Sequence, residues 1–244
     1  MPGYANPQNL NRYSYVNSNP LRYTDPTGHK YCDSDGPENC TRLSNSVEHT
    51  AIKYRIRFKG NGGRGDQEDF IDAITREADR MYGAHCQGPS GCTFSSASEL
   101  YVATHDTTVI TFSNSSTDKF CQRNANAGEE GVICGSNSRG KITPTITAHE
   151  LGHVFNALIH NNGYVYDDPY NDLADERASN EDFPALDVDI TPGHKNNGGS
   201  NGEDFANMYS MWVFNEWPDT VGGQKREGFM NDNMATWITR LLNP

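Results

Sequence analysis

The chain is short of basic residues, of long apolar runs and of Cys-x-x-Cys spacings, and each shortage removes a class of function. Its 20 Lys and Arg stand against 32 Asp and Glu, a formal net charge of −12 at pH 7. No basic stripe reverses that field locally, so phosphate backbones and anionic headgroups are repelled and nucleic acid is not an expected partner. No segment approaches the roughly 18 consecutive apolar residues of a membrane span, and the N-terminus lacks the basic-then-apolar pattern of a signal peptide. The expectation is a protein that is intracellular or the tail of a larger exported one. Hydrophobic residues make up 34% of the chain and glycine contributes 23 positions, which fits a globular domain with much surface loop.

The six cysteines, Cys32, Cys40, Cys86, Cys92, Cys121 and Cys134, contain no Cys-x-x-Cys spacing. Neither a thiolate metal clip nor a dithiol redox site is therefore expected. The simplest arrangement pairs Cys32 with Cys40, Cys86 with Cys92 and Cys121 with Cys134. Other connectivities and free buried thiols stay open, and pairing leans toward an oxidising compartment.

What is present divides unevenly. Residues 1–30 hold the turn signals Asn6-Pro7, Asn19-Pro20, Asp25-Pro26 and Thr27-Gly28, separated by Tyr-rich extended pieces such as Tyr13-Ser-Tyr15. Their Tyr and Leu side chains need a partner surface to become buried. Residues 31–65 read as a polar linker, Gly-rich at Gly60-Asn-Gly-Gly-Arg-Gly65, with a first strand in the apolar alternation Ala51–Phe58. Residues 66–244 carry the domain proper. There Asp66 reads as the N-cap of a helix bearing Phe70, Ile71, Ile74, Ala78 and Met81 and ending before Gly83. Leu100–Phe112 reads as one or two strands and Val132-Ile133 as another. Helices are expected from Pro144 to about His160, from about Gly202 to Trp217 with Phe205, Met208, Tyr209, Trp212 and Val213 on one stripe, and over Phe229–Leu242.

The run Asn6-Pro-Gln-Asn-Leu-Asn-Arg-Tyr-Ser-Tyr-Val-Asn-Ser-Asn-Pro-Leu-Arg-Tyr-Thr-Asp-Pro-Thr-Gly28 resembles the end of an RHS-repeat-associated core, the β-rich shell of bacterial polymorphic toxins. In that family an Asp-Pro-x-Gly motif, here Asp25 to Gly28, marks the boundary after which a variable toxin domain begins. The resemblance covers about a tenth of the 244 residues. It implies that the chain beyond residue 30 is an effector, secreted or delivered as part of a larger RHS protein, with the parent shell and an immunity protein as partners. Only one Asp-Pro-x-Gly is present, so the self-cleavage that some relatives perform near paired motifs does not carry over.

The chemistry concentrates in Thr147-Ala-His-Glu-Leu-Gly-His-Val-Phe-Asn156. On a helix, residues four apart stand about 40° apart around the axis and one turn along it, so His149 and His153 can reach one metal ion. Glu150 falls beside them, placed to act as general base on a water, while Leu151, Val154, Phe155 and Leu158 form an apolar face that anchors the helix. A catalytic zinc site takes three protein ligands and keeps a fourth position for water or substrate, so a third ligand is needed. The metzincin pattern asks for Gly at 156 and His at 159, where this chain has Asn156 and Ile159. His160 shares the helix face of the pair, yet an unbroken helix puts it about 10 Å beyond His153. It can also be read as a histidine favoured by the helix C-terminus.

Gly202-Glu-Asp-Phe-Ala-Asn207 resembles the second motif of gluzincins, a ligand Glu with a polar partner four residues on. The resemblance assigns Glu203 as third ligand, in preference to Asp204 about 100° around the helix, and makes Asn207 a hydrogen-bond partner for a ligating histidine. Asp167 or Asp168 is an aspzincin-like alternative. Asp167, Asp168, Asp172, Asp187 and Asp189 also read as solvated loop acids or as oxygen ligands for calcium. Tyr209 and His194 are weak oxyanion-donor candidates, Tyr209 being better explained as core and His194 as exposed loop.

The expected fold class is therefore α+β, a zincin-like metallopeptidase domain with a small mixed sheet, a His-Glu-x-x-His helix and further C-terminal helices. The expected activity is hydrolysis of peptide bonds in a protein or peptide substrate, with Zn2+ as cofactor and Glu150 as general base. Peptide as the substrate class is what the resemblance implies. A zinc hydrolase of a non-peptide amide or ester, and a non-enzymatic binding tail stapled by a structural metal, are the alternatives.

Overall fold

Ser96, Thr143, Asp168, Ser200 and Thr220 each stand in extended backbone just before a helix and accept a hydrogen bond from its first turn. Such caps satisfy donors that a helix cannot satisfy itself, and here they fix where five helices begin. The computed structural model describes residues 45–60, 64–86, 92–112, 125–127, 132–135, 143–185 and 200–243. Along them run α1 (Asn45–Lys53), β1 (Ile56–Gly60), α2 (Arg64–Cys86), α3 (Ala97–His105), β2 (Thr108–Phe112), β3 (Ala125–Ala127), β4 (Val132–Gly135), α4 (Pro144–Asn161), α5 (Pro169–Ser179), α6 (Asn201–Phe214) and α7 (Val221–Leu242). The N-terminal run that carries the RHS resemblance, and the cysteines Cys32, Cys40 and Cys121, lie outside the described residues.

The architecture is α+β, mostly helical with one small sheet. Strand order is β1-β2-β4-β3, with β1, β2 and β4 parallel and β3 antiparallel to β4. Alternation along β2 buries Thr108, Ile110 and Phe112. Phe112 stacks on Phe58 of β1 and meets Phe70 of α2 edge-on, so α2 covers this face of the sheet. One hydrophobic cluster then continues through Leu151 and Phe155 of α4, Phe205 and Trp212 of α6, and Met234 and Trp237 of α7.

Several elements depart from the sequence expectation. Ala51–Phe58 was expected as a strand, but its first part is helical: Val47, Ala51 and Tyr54 recur at three- and four-residue spacing and all enter the core. With Ile56 and Phe58 they place residues 45–60, expected within the linker segment, in the same core as the rest. Leu100–His105 is α3 rather than strand. Ser96 caps it, Asp106 ends it at φ 51°, and Leu100, Tyr101 and Thr104 face inward, so packing outweighs a β-leaning composition. Residues 169–179, expected as polar loop, form α5. Helix α2 runs through Gly83 to Cys86, whose sulfur is bonded to that of Cys92 as expected, and α7 begins eight residues before Phe229.

Among the described residues, α4 packs more extensively on α6 than on any other helix. Gly152, inside the His-Glu-Leu-Gly-His segment, sits where an added Cβ would lie 2.9 Å from Tyr209 Cβ and 3.1 Å from Ala206 Cα. Real Cβ atoms do not approach that closely, so glycine here is a condition of the α4–α6 spacing, and that spacing brings the start of α6 to the histidines.

Behind this contact lies a buried polar cluster that sequence reading did not identify. Tyr209 donates to Glu77 Oε1 at 2.5 Å, and His105 Nε2 stands 3.7 Å from the same oxygen. Both Glu77 and His105 are shielded from solvent. Burial pushes Glu77 up to about 8, partly offset by the Tyr209 hydrogen bond, and pushes His105 down to about 4. Glu77 holds in the folded state a proton that the unfolded chain releases, so its contribution is lost as pH rises from about 4.5 to 8. His105 refuses a proton that the unfolded chain accepts, so its contribution is lost as pH falls from about 6.5 to 4. The two slopes oppose between about pH 4.5 and 6.5, and only the Glu77 loss remains above. Urea midpoints should therefore show wild-type stability falling by about 2 kcal/mol from pH 6.5 to 8 relative to Glu77→Gln. Parallel pH curves for the two proteins would refute this protonation assignment.

Candidate metal centre

The site is built on the first turns of α6 and the middle of α4. Thr143 caps α4, accepting from Ile146 N at 3.2 Å, and Pro144 occupies the first turn, where its missing N–H costs nothing. The helix runs unbroken past His149, Glu150 and His153. Ser200 caps α6 by accepting from Glu203 N at 3.2 Å, which sets Glu203 on the turn facing α4.

The three predicted ligands meet. His149 Nε2 lies 3.4 Å from one Glu203 carboxylate oxygen and His153 Nε2 lies 3.8 Å from the other. One donor atom from each of the three residues falls within 4.8 Å of the other two. His149 and Glu150 are buried, at 9% and 8% exposure, while the His153 and Glu203 side chains keep 21% and 25%, so the group is sunk in the core with one side open. Burial, reinforced by the neighbouring His149 and partly offset by Glu203, pushes His153 down to about 4. At neutral pH its imidazole is then uncharged, the form that can ligate a metal.

Each imidazole is held from behind. His149 Nδ1 lies 3.0 Å from Asn207 Oδ1, the pairing that the resemblance to the gluzincin second motif implied for Asn207. His153 Nδ1 lies 2.5 Å from the Tyr170 hydroxyl, an arrangement sequence reading missed because Tyr170 belongs to the unforeseen α5. The Asn207 oxygen can only accept, which puts the His149 proton on Nδ1 and leaves its Nε2 lone pair for a metal, whereas the Tyr170 hydroxyl can either accept from or donate to His153 Nδ1. Two imidazoles and a carboxylate, each aimed by Nε2 or oxygen at one point, form a group able to hold a metal ion.

No protein-family model, curated protein or solved structure matches the chain. The other residues considered from sequence are therefore sorted by geometry alone. Asp204 turns away from the histidines: Arg226 Nη1 donates to both its oxygens, at 2.8 and 2.7 Å, and Arg177 donates to Oδ2. All but 1% of its side chain is covered. It is a structural anion, not a competitor to Glu203. His160 pairs through Nδ1 with Asp168 Oδ2 at 2.8 Å, and Asp168 Oδ1 caps α5, which excludes both from the ligand group. Asn156, standing where the metzincin pattern has Gly, uses its Oδ1 to accept from Tyr170 N at 3.0 Å. Asp172 accepts from Trp237 and Arg240, and the Asp167 carbonyl accepts from Arg240. Tyr209 is core, as its helical stripe implied, and its hydroxyl is engaged by Glu77, which removes it as an oxyanion donor. His194, Asp187 and Asp189 lie outside the described residues. Among the described residues no helix is long and apolar enough to cross a membrane.

Proposed function

We propose that this chain is a zinc-dependent metallopeptidase effector of gluzincin type, the toxin tip of a larger RHS protein, with His149, His153 and Glu203 as zinc ligands and Glu150 as general base. The observation that carries the reading is the convergence of His149 Nε2, His153 Nε2 and the Glu203 carboxylate within 4.8 Å of one another. That donor set, two imidazoles and one carboxylate, is one of those used by catalytic zinc sites that keep a fourth position open. When bound, zinc supplies a Lewis acid for the scissile carbonyl and lowers the pKa of its water toward about 7.

The protein's own groups do the remaining work. Glu150, one residue after His149 and largely shielded, accepts the proton of the attacking water and passes it to the leaving amine. Asn207 and Tyr170 fix the imidazole orientations, and shielding from bulk water strengthens each of these interactions. Peptide as substrate rests on the resemblance of the two helical motifs to gluzincins, and delivery rests on the run from Asn6 to Gly28. Zinc analysis with a protease assay on wild type and Glu150→Gln tests the reading: both proteins should bind zinc and only the wild type should hydrolyse an unstructured protein substrate. A wild type that binds no zinc would overturn it.

A further inference from the structure

Resting on that reading of the site, we infer that Tyr170 is a positioning residue for His153 and that α5 is a working part of the metal centre rather than surface cladding. The hydroxyl of Tyr170 lies 2.5 Å from His153 Nδ1, and the two rings meet edge to face. A histidine that ligates through Nε2 must carry its proton on Nδ1, so its partner has to accept. His149 meets an amide oxygen, which can only accept. His153 meets a phenol, which accepts with a lone pair when Nδ1 carries the proton, as ligation through Nε2 requires, and donates whenever Nδ1 is bare. Tyr170 therefore holds the ring in one orientation in both states, and keeps Nε2 on the Glu203 side before a metal arrives.

The neighbours of Tyr170 restrict it to that place. Its backbone N–H is held by Asn156 Oδ1 from α4, three residues beyond His153, and by the capping Asp168 Oδ1, each at 3.0 Å. Asp168 is itself tied to His160 on the last turn of α4. The ring packs edge-on against Phe205 and lies against Gly202, where an added Cβ would come within 3.0 Å of Tyr170 Cε2. Glycine directly before the ligand Glu203 is thus the residue that leaves room for the ring. At the far end of α5, Arg177 donates to Asn201 Oδ1 at 2.5 Å and to Asp204, so α5 is clamped to α4 at one end and to the start of α6 at the other. These contacts converge on one outcome, a hydroxyl delivered to His153 with little freedom to leave.

The test is Tyr170→Phe, which keeps the ring contacts with Phe205 and Gly202 and removes only the hydroxyl. Competition with a chelator of known affinity should show zinc binding weakened by roughly 10- to 100-fold, the loss typical of removing an outer partner of a ligating histidine. The cobalt(II)-substituted variant should show shifted and weakened d–d bands, which a merely structural role would not move, while its circular dichroism stays that of wild type. Unchanged affinity together with an unchanged cobalt spectrum would overturn the inference. A second measurement needs no variant. In nitrogen-15 histidine spectra of the zinc-loaded wild type, the His153 proton should sit on Nδ1, far downfield and slow to exchange; a rapidly exchanging Nδ1 proton would contradict the assignment. If the wild type takes up no zinc, the metal reading itself fails. If it does and Tyr170→Phe matches it, only the role of Tyr170 fails.

Discussion

Glu150→Gln should retain about one zinc per chain and lose roughly 10²- to 10⁴-fold in hydrolysis, the range that a positioned general base supplies. Glutamine keeps the size of the side chain and a carbonyl oxygen, so packing on α4 is preserved. It cannot accept a proton at neutral pH, so the proton of the attacking water has no route to the leaving amine. Glu150 is not one of the three groups whose donor atoms converge, which is why metal content and activity should separate in this variant. The loss corresponds to about 3–5 kcal/mol of transition-state stabilisation. Zinc content by mass spectrometry under native conditions, set beside the rate on an unstructured protein, measures both. Full activity in the variant would refute the general-base role, and loss of zinc with activity would make Glu150 part of the binding site instead.

Adjacent carboxylates at the start of α6 should respond in opposite ways. Glu203→Ala removes the proposed third ligand, whose side chain is 25% exposed, so the protein should fold and lose zinc affinity by more than the roughly 100-fold ceiling seen for outer partners. Asp204→Ala removes the buried carboxylate to which Arg226 and Arg177 both donate, and breaking such a buried pair from one side costs about 3–5 kcal/mol. That variant should unfold at a much lower urea concentration yet bind zinc normally while folded. Calorimetric zinc titration and urea melts on the two proteins distinguish these outcomes. Zinc loss in Asp204→Ala at temperatures where it remains folded, with normal binding in Glu203→Ala, would reverse the ligand assignment.

The parts of this molecule that were legible in the sequence are those whose signal is local. Helix α4 announces its chemistry within five residues, His149 to His153, and its start with Thr143-Pro144. Helix α6 shows an apolar stripe from Phe205 to Val213 and places Asn207 one turn after Glu203, and the contact between Asn207 and His149 is the one that the resemblance to the gluzincin second motif implied. What could not be read depends on distant partners. Glu203 and Asp204 differ in role because Arg177 and Arg226 lie 27 and 22 residues from Asp204 in the chain. Helix α5 buries only Pro169 and Leu173, too few apolar positions to show a period, so its Asp- and Asn-rich sequence passes for loop and Tyr170 goes with it. Helix α3 was masked differently: Leu100, Tyr101 and Val102 suit a strand by composition, and only the Ser96 cap, the break at Asp106 and packing decide otherwise. Glu77 is marked in the sequence itself. It falls on the same stripe as Phe70, Ile74, Ala78 and Met81, all buried with it, and a carboxylate on an apolar stripe is the mark of a buried acid with a partner.

The claim on which the rest depends is that one metal ion sits between His149, His153 and Glu203 with a coordination position left open. Zinc K-edge X-ray absorption on the loaded protein tests it most directly. The account predicts a four-coordinate zinc with only nitrogen and oxygen neighbours at about 2.0–2.2 Å and the multiple-scattering signature of two imidazoles. A sulfur shell at about 2.3 Å, or the signature of three or more imidazoles, would mean a different ligand set from the one described and would contradict the hydrolytic site.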